Sequence, residues 1–169
     1  MHSDVVVLGD SNLSRATDYG TQVRSIEFHS YPGATIKHLA QLMDPKFSPQ
    51  NTPKAVVLSV GINNRQNHPQ TFQTQLKNMI NNAKAFFPNA SIHIPLINIP
   101  PEIPEQEQAN INALNTLLQS ISSNQDTFKP IPTLPQEGFQ IDPKDKLHKI
   151  HWTEDTANSL ITHWTAHLN

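Results

Sequence analysis

The hydrophobic pattern of the chain alternates between short apolar runs and longer segments with helical periodicity. Residues 5–8 and 55–58 are continuously apolar and rich in β-branched side chains, which is typical of strands buried on both faces. Three further runs are shorter or more polar, and turn residues follow them. The pattern predicts five strands, at residues 5–8, 26–31, 55–60, 91–97 and 127–131.

Between the strands, apolar residues recur every three or four positions, which predicts amphipathic helices. One of them opens at Pro69, because proline is tolerated in the first helical turn, and residues 132–149 are predicted to form a loop. Strands that alternate with helices favour a parallel sheet with right-handed crossovers. We therefore expect an α/β fold, a three-layer α/β/α doubly wound domain around a five-stranded parallel sheet, with helices at residues 35–43, 69–87, 105–122 and 153–168.

Length and charge narrow the class of protein. The 169 residues suit one domain, and we expect residues 1–169 to form a single domain excised from a longer protein. The formal net charge of -2 and the absence of a basic run argue against a direct nucleic-acid site in this segment. Without cysteine, a disulfide scaffold and a thiolate metal site are excluded. No signal peptide or transmembrane pattern is present, so we expect a cytoplasmic location.

Polar residues follow three of the predicted strands at the point where each strand ends. Ser11 follows the first strand, Gly33 the second and Asn63 the third. Ligands of open α/β sheets bind at the carboxyl ends of the strands, so these residues are expected to meet at one edge. A simpler interpretation makes residues 10–12 only a helix N-cap and Gly33 only a turn residue.

These residues, with a histidine before the last helix, fit acyl transfer. Ser11 would be the nucleophile, and His151 would take its proton and return it to the leaving group. The backbone N–H groups of Ser11 and Gly33, with the side-chain amide of Asn63, would form an oxyanion hole. Thr153 would cap the last helix and so help to fix the loop that carries His151.

Four blocks, in order along the chain, resemble the SGNH (GDSL-type) serine hydrolase superfamily. They are Gly9–Asn12, Pro32–Thr35, Gly61–Asn64 and His151–Thr153. The resemblance implies an SGNH-hydrolase-like sheet in flavodoxin-like order. It also implies hydrolysis of short acyl esters, such as acetyl esters, through an acyl-enzyme without metal or organic cofactor. The superfamily usually has aspartate where this chain has Asn64.

Within that superfamily, residues 9–15, 60–65 and 151–153 are most similar to the esterase domain in the first open-reading-frame protein of vertebrate LINE retrotransposons. This resemblance implies a small acyl ester or lipid as substrate. It also implies a full-length protein that self-associates and works near RNA or membranes. The alternative function is an SGNH-fold module that binds lipid or RNA and has weak or lost catalysis.

The group that orients the histidine is ambiguous, because the last block of the superfamily usually reads Asp-x-x-His. Asp145 with His148 fits these letters, whereas His148 with His151 fits the spacing to the following helix. We prefer His151 as the base, which places His148 in the orienting position. Asp142, Asp145 and a backbone carbonyl remain alternatives for that position.

Histidines also invite a metal interpretation. His163 and His167 stand four residues apart on the last predicted helix, a spacing that two metal ligands can use. Since no further metal motif accompanies them, we favour two solvated histidines on a helix face.

Overall fold

The computed structural model describes residues 4–16, 26–44 and 52–168. All five predicted strands are present, and they form a single sheet. They are β1 (Val5–Gly9), β2 (Ile26–Ser30), β3 (Ala55–Ser59), β4 (Ser91–Pro95) and β5 (Lys129–Ile131). The order across the sheet is β2-β1-β3-β4-β5, and every neighbouring pair is parallel. The predicted parallel sheet in flavodoxin-like order is confirmed.

The four predicted helices are also present. They are α1 (Ile36–Leu42), α2 (Phe72–Phe86), α3 (Glu105–Gln125) and α4 (Glu154–Ala166), with short 3₁₀ helices at Ser11–Arg15, Ile62–Asn64, Pro69–Thr71 and Gln136–Gly138. None of the helices in the described ranges is long and apolar enough to cross a lipid bilayer.

Two hydrophobic layers enclose the sheet, which explains the continuous apolar runs. Val6 and Leu8 of β1 belong to the core shared with α1, α2 and α3, whereas Val5 and Val7 belong to the core shared with α4. Successive side chains of a strand point to opposite faces, so a central strand between two helical layers has no solvent-facing position.

The ends of several elements differ from the prediction. Pro69 lies in a 3₁₀ turn that precedes α2, and α3 continues to Gln125, where Asp126 adopts a left-handed conformation with φ 43°. β5 begins at Lys129, two residues later than expected. Asp44 and Pro45 are predicted to end the first helix, and residues 49–53 to form a loop. Of these, Pro45 and residues 49–51 lie outside the described residues.

The register of the sheet places the segments that follow β1, β2 and β3 side by side at one edge. Gly9 pairs with Ser30 on one side and with Ser59 on the other. Hydrogen bonds continue beyond the strands, because Tyr31 N donates to Gly9 O (2.8 Å) and Asp10 N donates to Ser59 O (3.3 Å). A Cβ atom at Gly9 would lie 2.5 Å from Ser59 O, so this close approach requires glycine.

Candidate active site

Ser11 lies at the first position of the 3₁₀ helix that follows β1. The Asp10 carboxylate accepts a hydrogen bond from the Asn12 backbone N–H (2.9 Å), and the Asp10 carbonyl accepts one from the Ser30 hydroxyl (2.9 Å). Asp10 and Asn12 are buried, whereas Ser11 between them is half-buried. The capping interpretation is therefore correct for Asp10, and the same cap leaves the Ser11 side chain accessible.

His151 lies between Ser11 and a carboxylate. Its Nε2 atom is 3.4 Å from Ser11 Oγ, and its Nδ1 atom is 2.7 Å from Asp145 Oδ2. A carboxylate only accepts hydrogen bonds, so Nδ1 carries the proton and Nε2 is left to accept from the Ser11 hydroxyl. The distance of 3.4 Å is long for a hydrogen bond, as such contacts often are before substrate binds.

The Asp145 carboxylate is fixed by the turn that follows it. Its Oδ1 accepts from the His148 backbone N–H (3.1 Å), and its Oδ2 accepts from the N–H groups of Ile150 (3.0 Å) and His151 (3.1 Å). Burial raises the pKa of Asp145, but these three hydrogen bonds and the one from the imidazole outweigh it and hold the pKa well below its ordinary value. Lys149 adopts the left-handed conformation (φ 58°) within this turn. Asp145 is thus a permanently ionised partner for the imidazole.

The structure corrects the preferred choice of orienting group. Asp145, rather than His148, lies against the His151 ring, and the His148 side chain is exposed. Asp142 forms an ion pair with Arg15 (2.9 Å) and not with the imidazole. The acid, Asp145, therefore comes from the pair Asp145 with His148, and the base, His151, comes from the pair His148 with His151. Acid and base are six residues apart instead of the three that the Asp-x-x-His block predicts. The physical reason is that the intervening residues form the turn whose N–H groups hold the carboxylate.

Two of the predicted oxyanion-hole residues, Gly33 and Asn63, lie on loops that a hydrogen bond links to each other. Asn63 Nδ2 donates to Ala34 O (3.0 Å), which links the segment after β3 to the segment after β2. Gly33, next to Ala34, is exposed and has φ 73°. The backbone N–H groups of Ser11 and Gly33 make no hydrogen bond to any residue in the described ranges. Among the described residues, therefore, no protein acceptor occupies either of these two donors.

Asn64, where the superfamily usually has aspartate, is buried in a small hydrogen-bond network. Its Oδ1 accepts from the Ile36 backbone N–H (3.0 Å) at the start of α1. Its Nδ2 donates to Asn67 Oδ1 (3.0 Å) and to Gln75 Oε1 (3.3 Å). A carboxylate could supply only the acceptor, so the amide suits the neighbours that this chain provides.

Two further features hold the loop that carries His151. Thr153 accepts a hydrogen bond from Thr156 N (3.1 Å) and so caps α4, as the sequence predicted. The sequence interpretation missed the side chain of Asn12, which donates to Ile150 O (3.2 Å) and accepts from Trp152 N (2.9 Å). No motif signals this pair, because it joins residues that are 138 and 140 positions apart.

A cavity of about 30 Å³ lies behind the site, under the ends of β1, β3 and β4. Asp10, Trp152 and Trp164 are among its lining residues, and the buried Trp164 Nε1–H has no partner in the described part of the chain. Burial raises the pKa of Asp10 to about 6, although the Asn12 N–H and the nearby His151 act in the opposite direction. The cavity has room for an ordered water, but not for an acyl chain.

His163 of α4 and His167, which follows the end of α4, both make protein contacts. His163 Nε2 lies 2.7 Å from Pro132 O, and the His163 and His167 rings are 4.5 Å apart. Across residues 4–16, 26–44 and 52–168, no group of three His, Asp or Glu side chains is arranged to hold a metal ion.

Comparison with solved structures gives matches over nearly the whole chain. A structure described as a putative platelet activating factor from Streptococcus pneumoniae is 17% identical, with a TM-score of 0.74, covering 100% of this chain and 85% of that one. A lipase/acylhydrolase from Enterococcus faecalis is 16% identical, with a TM-score of 0.68 and coverages of 99% and 95%. The C-terminal catalytic domain of peptidoglycan O-acetyltransferase A from Streptococcus pneumoniae is 14% identical, with a TM-score of 0.67 and coverages of 98% and 94%.

A search of curated proteins gave no significant match. The model of the GDSL-like lipase/acylhydrolase family, in contrast, matches residues 8–157, a span that includes Ser11, Gly33, Asn63, Asp145 and His151. The chain therefore belongs to the GDSL-like lipase/acylhydrolase family.

Proposed function

We propose that this chain is a serine esterase that hydrolyses short-chain acyl esters through an acyl-enzyme. The observation that carries the proposal is the continuous path from Asp145 through the His151 ring to Ser11 Oγ. Family membership supports the reaction class. The ionised Asp145 supports the assignment of His151 as base, since it fixes the tautomer that can accept the serine proton.

In the proposed reaction, Ser11 Oγ attacks the ester carbonyl while its proton passes to His151 Nε2. Asp145 stabilises the imidazolium that forms. The negative oxygen of the tetrahedral intermediate would accept from the free N–H groups of Ser11 and Gly33 and from the second hydrogen of the Asn63 amide. His151 then protonates the leaving alcohol, and a water activated by the same imidazole releases the acyl group from Ser11.

Two observations support a short acyl group. The cavity lined by Asp10, Trp152 and Trp164 holds only about 30 Å³, so this cavity is too small for a long acyl chain. One of the similar structures is a catalytic domain named as an O-acetyltransferase. We propose acetyl esters as the first substrates to test, with other small acyl esters and lipids following.

A series of p-nitrophenyl esters from acetate to decanoate tests the proposal. The wild type should turn over acetate fastest, and Ser11→Ala should fall to the buffer rate. A fluorophosphonate probe should label the wild type at Ser11, as mapped by peptide mass spectrometry. Equal rates for the two proteins, with no label at Ser11, would refute the esterase and favour the alternative, a lipid- or RNA-binding module without catalysis.

The resemblance to retrotransposon-encoded esterases suggests a cellular setting for the proposed activity. We propose that the domain works within a longer protein that self-associates near RNA or membranes. The genomic neighbourhood tests this: the reading frame should continue into a self-associating segment and should precede a reverse transcriptase gene. A neighbourhood of ordinary metabolic genes would contradict it.

A further inference from the structure

The side chain of Asn12 holds the two residues that flank His151. Its Nδ2 donates to the carbonyl of Ile150 (3.2 Å), and its Oδ1 accepts from the backbone N–H of Trp152 (2.9 Å). Asn12 is only 2% exposed and Ile150 is buried, whereas Trp152 is half-buried. Ser11 directly precedes Asn12 in the chain. The Asn12 side chain therefore connects the turn that carries Ser11 to the backbone on both sides of His151.

We propose that Asn12 is a positioning residue that sets the distance between Ser11 Oγ and His151 Nε2. This inference rests on the proposed esterase function. Asn12 touches no reacting atom in this scheme. It acts by locating the His151 backbone relative to the turn that presents Ser11.

The hydrogen bonds within the His151 loop (residues 142–151) do not perform this task. Its base is closed by the bond from Asp142 N to His151 O (2.8 Å), and its interior is held by the N–H groups that Asp145 accepts. These bonds shape the loop and orient the ring, but they are internal to the loop. They therefore do not fix the distance from the imidazole to Ser11.

A second tie between the nucleophile turn and the His151 loop is the ion pair of Arg15 with Asp142 (2.9 Å). The two side chains are 35% and 23% exposed, so water and salt weaken the attraction. Removing the buried Asn12 amide leaves the buried Ile150 carbonyl and the half-buried Trp152 N–H without their partner, which costs more than losing an exposed contact. Asn12 is consequently the stronger tie of the two.

Asn12→Leu and Asn12→Asp test the proposal, with Asn115→Leu as a matched control. Asn12→Leu removes both hydrogen bonds while keeping the branching of the side chain, and Asn12→Asp removes only the donor. Asn115 on α3 makes the same pair of bonds, to the N–H (2.8 Å) and the carbonyl (2.9 Å) of Ile97. All three proteins would be compared with the wild type in melting temperature, in kcat and KM on the acetate ester, and in fluorophosphonate labelling rate.

A displacement of about 1 Å at the reacting atoms costs about 100-fold in rate. We expect kcat and labelling to fall about 100-fold in both Asn12 variants, with KM within about threefold of the wild type. The far-downfield proton resonance of the His151–Asp145 hydrogen bond should persist. Asn115→Leu removes the same pair of bonds at a half-buried position, so it should lower the melting temperature while kcat stays within about threefold. Retained kcat in a folded Asn12 variant, or an equal loss of kcat in the control, would overturn the proposal.

Hydrogen exchange at Trp152 separates this proposal from the proposed function. Its N–H should exchange at least about tenfold faster in Asn12→Leu than in Asn115→Leu, whether or not the protein is an enzyme. A wild type with neither turnover nor label would refute the esterase alone. Equal exchange in the two variants would refute the role of Asn12 in positioning the His151 loop.

Discussion

Replacing Asp10 by asparagine is expected to stabilise the protein at neutral pH. The carboxylate is buried at the end of β1, beside the nucleophile, and its pKa is raised from 3.8 to about 6. Its hydrogen bond from the Asn12 N–H offsets only part of the cost of burial. Asparagine has the same shape and can accept the same bond, but it carries no charge.

The magnitude follows from linkage between protonation and folding. Because the folded-state pKa lies above the unfolded value, the unfolded chain releases this proton first as pH rises. The free energy of unfolding therefore falls between about pH 4 and pH 6 and then levels off. Each pKa unit is worth about 1.4 kcal/mol, so the difference between 3.8 and about 6 corresponds to a loss of about 3 kcal/mol.

Urea unfolding at pH 4, 5, 6 and 7 measures this loss. The difference in unfolding free energy between Asp10→Asn and the wild type should grow by about 2.4 kcal/mol from pH 4 to pH 7, because part of the full loss is already present at pH 4. Contributions from groups that do not interact with Asp10 cancel in this difference, and Glu137→Gln, which removes an exposed carboxylate, is the control. A difference that does not change with pH would show that Asp10 ionises without cost, and the reasoning from burial would be wrong.

Three further outcomes follow from the site and the sheet. Asp145→Asn should lower kcat by roughly 10³- to 10⁴-fold. Because the folded-state pKa of Asp145 is lowered, the variant should be less stable than the wild type by its full deficit above about pH 4, and the deficit should shrink as pH falls further. A deficit in urea unfolding that does not change with pH would count against this assignment. Lys149→Gly should be at least as stable as the wild type, whereas Lys149→Val should be about 1–2 kcal/mol less stable than the glycine variant, because a β-branched residue is disfavoured at φ 58°. Equal melting temperatures of the two variants would show that the backbone at residue 149 is not strained. Gly9→Ala should destabilise by about 2 kcal/mol or more, because its Cβ would meet Ser59 O at 2.5 Å, and an unchanged midpoint of urea unfolding would show that β1 and β3 can separate without cost.

The sequence predicted the sheet well because its central strands carry a strong and local signal. Residues of β1 and β3 are apolar without interruption, and only a strand between two layers buries every position. The boundaries were less predictable where local and tertiary preferences compete. Nothing in the residues around Pro69 distinguishes a 3₁₀ turn from the first turn of α2.

The candidate site was predictable as far as single residues follow strands. Ser11 could be found because it follows a strand and His151 because it precedes the last helix, and the structure brings their side chains together. The choice between Asp145 and His148 could not be made, because it depends on how the intervening turn folds and on where its N–H groups point. The role of Asn12 depends on a contact across most of the chain, which a single sequence does not reveal.

Asp145 and His151 belong to the same ten-residue loop, and this arrangement has a consequence for inactivation. If the loop detaches from the nucleophile turn, the acid and the base leave together, while both hydrophobic layers of the sheet stay intact. On heating, esterase activity should therefore disappear before the circular dichroism of the fold changes, and it should return on cooling because the loop can close again on an unaltered scaffold.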